Sequence, residues 1–158
     1  MWNLRNPVVR QYQAALEQAA AARSVSLKFI DVRDAGSLGM AFRQARGSAQ
    51  AVVVACEQLF MQHAQQVVDL AAANHLPTVY CLSKFPALGG LVSYGVDLLA
   101  MYRRAAEYTD RVLRGSNVGE LPVEQPNKYE LVVNVQTAKT LGITVPPSIL
   151  SRADEVIQ

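Results

Sequence analysis

This 158-residue chain has only two cysteines, little net charge (+2) and no apolar run near the length of a bilayer. A membrane-spanning helix needs roughly 20 consecutive apolar residues, and nothing here approaches that, so no span is expected. The opening MWNLRNP has neither the basic segment nor the apolar stretch of a secretion signal, and as written the chain reads as cytoplasmic. Its 15 Lys and Arg are scattered along the sequence. A phosphate backbone needs them gathered into a stripe, so nucleic acid is not expected as a partner. Cys56 and Cys81 form no C-x-x-C pair and match no metal-ligand spacing. Each ends an apolar run, so two buried free thiols are expected, with a disulfide as the alternative.

Enzyme signatures are missing too. Neither G-x-G-x-x-G nor G-x-x-x-x-G-K-[ST] occurs, so no phosphate-cradling loop is predicted. Ser93 lies in GLVSYG, where Leu91 stands in place of the first glycine of G-x-S-x-G, and a nucleophile elbow is not supported. A Ser93-dependent α/β hydrolase therefore stays a minor alternative. His63 and His75 lie twelve apart, outside any H-E-x-x-H pattern, and read as surface residues. Lys84 stands in a loop, where an exposed ammonium is expected in preference to a Schiff-base former. Asp31 lacks the acidic partners and later Lys of a phosphoacceptor. Catalytic, metal and cofactor sites are all predicted to be absent.

What is present is core-forming material. Hydrophobic residues make up 51% of the chain and charged residues 18%, enough apolar surface for one compact domain over residues 1–158 and too little charge for disorder. Asn6-Pro7 reads as a helix start, followed by Val8, Tyr12, Ala15 and Ala19 at helical spacing. Alternation over residues 26–32 suggests a strand, and Leu38, Ala41, Phe42 and Ala45 mark a helix over 37–46. Residues 51–55, with VVV at their centre, read as a strand covered on both faces. A helix over 59–74 and a strand over 78–82 come next. A short extended run at 91–94 then precedes a long amphipathic helix ending at Gly115. A strand over 129–135, a helix over 136–141 stopped by Gly142, and a last helical turn over 148–156 complete the chain. Short β-rich runs alternating with helices predict a doubly wound, three-layer αβα fold on a parallel sheet. The chain opens on a helix with only Trp2 and Asn3 before it, as if a first strand were missing.

Ligands of open α/β sheets bind beyond the carboxyl ends of the strands. The turns expected there carry Asn3 and Asn6, Asp31 and Asp34, Glu57 and Gln58, residues 83–85, and residues 93–97. Such polar residues also occur simply as caps.

Two stretches, GGLVSYGVDLLAMYRRAAEYTDRVLRG and LPVEQPNKYELVVNVQTAKTLGITVPPSILSRADEVI, closely resemble the C-terminal half of the ABC-transporter substrate-binding proteins of the tryptophan/tyrosine type. The resemblance extends from Asn3 to Gln158. It implies one lobe of the two-lobed type I periplasmic binding protein fold, incomplete at its N-terminus, with residues 91–115 corresponding to the segment that runs to the first lobe. The family's Asn-Pro-x-Asn-Pro appears as Asn3, Leu4, Arg5, Asn6 and Pro7, its Asp-Pro turn as Glu57 and Gln58, and its Arg-Glu-Phe as Ser83, Lys84 and Phe85. Gly90, Ser93, Tyr94 and Gly95 match its inter-lobe segment.

The resemblance implies non-covalent binding of an aromatic or other hydrophobic amino acid, with no turnover. The expected ligand-facing set is Asn3, Asn6, Glu57, Gln58, Phe85, Ser93, Tyr94 and Asp97. Ser, Asn and helix N-termini would take the carboxylate, Glu57 or Asp97 the ammonium, and Phe85 or Tyr94 the side chain. Implied partners are the amino acid and an ABC permease. A homodimer, possibly with exchanged elements, is also expected, to cover the apolar surface left by the absent lobe. The full-length family is periplasmic, or extracellular and membrane-anchored. A stand-alone ligand sensor or oligomeric scaffold of the same fold is the second reading.

Overall fold

The computed structural model describes residues 1–4 and 6–158, with the backbone alone for residues 7–10. Arg5 of the Asn3-to-Pro7 motif and the side chain of Val8 lie outside the described residues. Helix α1 (Pro7–Ala21) begins at the expected Asn6-Pro7 signal. Before α2 (Leu38–Arg46), Asp34 Oδ1 accepts the Ser37 N–H at 2.8 Å and the Ser37 hydroxyl accepts the Asp34 N–H at 3.3 Å, a reciprocal cap. Strands β1 (Val52–Val53), β2 (Thr78–Tyr80) and β3 (Val92–Val96) lie side by side and parallel. Beyond them β4 (Tyr129–Asn134) is antiparallel to β3, and β5 (Glu155–Ile157) is parallel to β4. The connections hold α3 (Gln58–Gln62), α4 (Ala64–Ala73), α5 (Lys84–Ala87), α6 (Leu98–Leu113), α7 (Val135–Thr140) and α8 (Pro147–Leu150).

Several expectations are corrected. The sheet is mixed where a wholly parallel one was expected: the chain leaves along β3, makes an excursion through α6, and returns along β4 beside its exit. Such an out-and-back path pairs the two strands antiparallel. The expected helix over 59–74 is two helices broken at His63, whose φ of −110° and ψ of 31° lie outside the helical region. The expected helical turn over 148–156 ends at Leu150. Its last residues form β5 instead, where Asp154 exchanges two bonds with Leu131, N–H to O at 2.9 Å and Oδ2 from N–H at 2.8 Å. Residues 26–32 contribute a single bridge, Trp2 with Asp31, in place of a full strand.

Where a first strand is expected to be missing, residues 1–3 contribute one isolated bridge, Trp2 with Asp31. Trp2 N–H donates to Ile30 O at 3.0 Å, Val32 N–H to Trp2 O at 2.9 Å, and Ala55 N–H to Met1 O at 3.2 Å. The segment thus sits between residues 30–32 and β1.

Val52, Val54, Thr78 and Tyr80 turn one face of the sheet toward Leu38, Phe42, Phe60, Val67 and Phe85, all at most 5% exposed. Val53 points the other way and is 61% exposed. The VVV run is therefore packed on one face, not on both. The cysteines are bridged, not free: Cys81 directly follows β2 and Cys56 lies three residues past the end of its parallel neighbour β1, which brings their Cα atoms to 5.6 Å. Nor are they buried, since Cys56 is exposed and Cys81 half-buried. No described helix is long and apolar enough to cross a membrane.

Candidate functional site

The carboxyl ends of residues 1–3, 30–32, β1 and β2 form one rim. Glu57 comes after β1 with extended backbone (φ −125°, ψ 148°), and its carboxylate makes no cap bond to α3. It reaches across the rim instead: Oε1 accepts the Asn3 N–H at 2.8 Å and Oε2 accepts Asn6 Nδ2 at 3.4 Å. Only 8% of Glu57 is exposed. From the opposite side Asp31 Oδ1 accepts the Leu4 N–H at 2.9 Å, and Arg33 pairs with Oδ2. The Asn3-to-Asn6 turn is thus pinned between two carboxylates drawn from separate segments of the rim. The Cys56–Cys81 disulfide adjoins Glu57 and ties the end of β1 to the end of β2.

Of the eight expected site residues, Asn3, Asn6 and Glu57 come together here, with Gln58 beside them, exposed, as the first residue of α3. The other four lie elsewhere. Phe85 is 1% exposed and stacks on Tyr80, with centroids 4.6 Å apart and planes at 7°. That places it in the core, so it does not offer a stacking surface to a ligand in this conformation. Ser93 is 1% exposed, and its Oγ has no hydrogen-bond partner among the described residues. A buried hydroxyl without a base beside it is not an activated nucleophile. Tyr94 is 61% exposed and stacks on Tyr129 of the neighbouring strand, centroids 5.7 Å apart.

Asp97 is engaged at both oxygens. Oδ1 caps α6 by accepting the Ala100 N–H at 2.9 Å, and Oδ2 accepts Lys128 Nζ at 2.7 Å. The Lys128 ammonium first, and then the backbone N–H of Ala100, hold this carboxyl below the usual carboxylate range.

The sequence places Asp31 on a ligand-side turn but outside the expected ligand-facing set, and it points to neither Tyr129 nor Lys128 as a site residue. Tyr129 is legible only as the first residue of a strand and Lys128 only as the residue before it, and their opposition to Tyr94 and Asp97 depends on the β3–β4 register, in which Val96 faces Tyr129. Among the described residues no group of three His, Cys, Asp or Glu is placed to hold a metal ion.

This arrangement offers a fixed polar rim, open to solvent, and an exposed aromatic pair on the β3–β4 ribbon. Hydrogen bonding and stacking are within its reach.

The family model described as ABC transporter substrate binding protein matches residues 5–157. A tyrosine-binding protein from Clostridioides difficile (strain R20291) is 26% identical over 97 residues, which are 61% of this chain and 28% of that protein. Among solved structures, a conserved domain protein from Vibrio cholerae superposes with a TM-score of 0.86 at 20% identity, over 98% of this chain and 52% of that one. An ABC domain from Streptococcus pneumonia, solved in complex with L-Trp, superposes with a TM-score of 0.80 at 22% identity, over 94% of this chain and 49% of that one. These likenesses establish the fold. The chain spans about half the length of the solved relatives it matches.

Proposed function

Since the chain belongs to the ABC transporter substrate-binding protein family, we propose that it forms one wall of a cleft that holds an aromatic amino acid without chemically changing it. The observation that carries this reading is the rim, where Asn3, Asn6 and Glu57 are fixed together at the carboxyl ends of parallel strands, the place where open α/β sheets bind ligands. Glu57 is the stronger candidate for the ligand's ammonium group, because Asp97 already carries Lys128. Tyr94 is the candidate for its ring, because Phe85 is enclosed. The ligands named for two relatives, tyrosine and L-Trp, support the choice of an aromatic side chain.

On this reading residues 1–158 make a single lobe, and residues 91–115 reach toward a second. Helix α6 contains no buried residue, and Leu99, Tyr102 and Leu113 are 66%, 70% and 82% exposed. Apolar surface of that kind is covered in an assembled protein. The cover is the remaining half of the fold or, for these residues alone, a second copy exchanging α6. Delivery to a permease and residence outside the cytoplasm belong to the same reading, and the disulfide supports the latter because such bonds persist in oxidising compartments.

Calorimetric titration of the protein as its organism makes it, with L-tryptophan and L-tyrosine, tests the proposal. Saturable heat that Glu57→Gln weakens at least tenfold is expected, the size of one lost charge-assisted hydrogen bond. Absence of heat with every aromatic amino acid ends it.

A further inference from the structure

Helix α6 and the segment returning from it are bound to each other more than to the body. Arg104 pairs with both Glu107 and Glu124, and its guanidinium lies 4.9 Å from the centre of the Tyr108 ring. The Tyr108 hydroxyl donates to Pro122 O at 2.9 Å. An open groove of about 860 Å³ runs along this seam, from Asp97 and Lys128 to Glu107 and Pro122. None of the α6 side chains is buried.

The chain passes from body to arm within two residues. At Gly95 it is pressed against the body: a Cβ there would lie 1.8 Å from the Cys81 carbonyl oxygen, so only glycine lets β3 pass. At Asp97 it already belongs to the arm, capping α6 with Oδ1. On the return path, Lys128 O accepts the Asp97 N–H at 3.1 Å and Lys128 Nζ donates to Asp97 Oδ2 at 2.7 Å. The next pair, Val96 and Tyr129, opens the ladder of the ribbon. The Asp97 side chain is 7% exposed and that of Lys128 62%. One partner is therefore held by the fold while the other reaches in from solvent.

We propose that Asp97 and Lys128 are a positioning pair that joins the outgoing and returning strands at the neck of the arm, so that α6 turns with the Val96–Tyr129 end of the ribbon as one body and the change of direction is confined to the steps next to Gly95. The consequence for ligand retention rests on the function proposed above: an arm held at a fixed angle presents α6 to the opposite wall in one orientation.

Three variants separate this role from capping. Asp97→Asn keeps a side-chain oxygen for the Ala100 N–H, since Asn caps as well as Asp, and removes the charge. Lys128→Met removes the cation and leaves the cap, and Lys128→Arg restores a cation. Amide hydrogen exchange at Val96, Asp97 and Tyr129 reads the neck without any ligand, and the L-tryptophan dissociation rate reads its consequence. Asp97→Asn and Lys128→Met are both expected to speed exchange and dissociation about tenfold, the equivalent of one charge-assisted hydrogen bond, while Lys128→Arg stays near the parent. Unchanged exchange in the first two variants, or Lys128→Arg failing as badly as Lys128→Met, overturns the proposal. Faster exchange in a protein that binds no aromatic amino acid supports the positioning pair and refutes the proposed ligand.

Discussion

The body and the arm of this chain are stabilised by different physics. In the body, Phe42, Phe60, Tyr80 and Phe85 are at most 2% exposed and meet in one cluster, so removal of apolar surface from water holds it together. The arm, α6 with residues 114–128, has no buried residue and is joined by ion pairs and one tyrosine hydroxyl bond at its surface. Surface pairs of that kind contribute little, because water screens the charges and two long side chains must be held in place. The body therefore carries its own stability, whereas the arm rests on surface contacts and leaves Leu99, Tyr102 and Leu113 exposed.

The largest effect that tests this contrast comes from equivalent truncations in the two regions. Phe42→Ala, at a site with no exposure, is expected to cost about 3–5 kcal/mol in urea unfolding, through lost transfer energy and the cavity left behind. Leu99→Ala, on the arm, is expected to stay within about 0.5 kcal/mol in these residues alone. Similar losses at both positions would show that the arm is packed against something in solution, as a second copy would do. The next effect in size concerns the rim. Reducing Cys56–Cys81 opens a loop of 25 residues, which on chain-entropy grounds removes about 3 kcal/mol. The Cys56→Ser/Cys81→Ser pair should match the reduced protein. A reduced protein as stable as the oxidised one would mean that the rim is held without the bridge.

How far the sequence revealed this division depends on the range of the interactions involved. Elements set by local chemistry were legible: the Asn6-Pro7 start, the stop of α6 at Gly115 (φ +95°) and the stop of α7 before Gly142 (φ +69°). So was the alternation of short apolar runs with helices, because each run must be covered by a neighbouring helix. Contacts between distant residues were not legible. Asn3 and Glu57 are 54 positions apart, so only the fold makes them neighbours. Phe85 reads as a loop aromatic free to meet a ligand, yet the stacked Tyr80 ring draws it into the core. The prolines before residue 148 do start a helical turn, but pairing with β4 overrides helix for residues 155–157. The disulfide ranks only as the alternative to free thiols because it has no motif, and only the adjacency of β1 and β2 brings its halves together.

The smallest expected effect is acid sensitivity confined to the arm. Asp97 has an ordinary carboxyl value of 3.8, and in the folded chain the Lys128 ammonium and the Ala100 N–H hold it lower, against the opposing pull of burial. Glu124 is drawn down to about 2, first by its bond to Arg104. For a carboxyl depressed on folding, the unfolded chain takes up the proton first. Its contribution is therefore complete above the unfolded value, about pH 4, and drains away as the pH falls toward the folded one. As the pH falls below about 4 both ties of the arm weaken, while the apolar body, which uses neither carboxylate, does not respond to their titration. The thermal midpoints of the parent and of Asp97→Asn should differ at pH 6 and converge as the pH is lowered through that window. A difference that stays constant down to about pH 2 would show that Asp97 contributes through its cap alone and that its charge has no part in holding the arm.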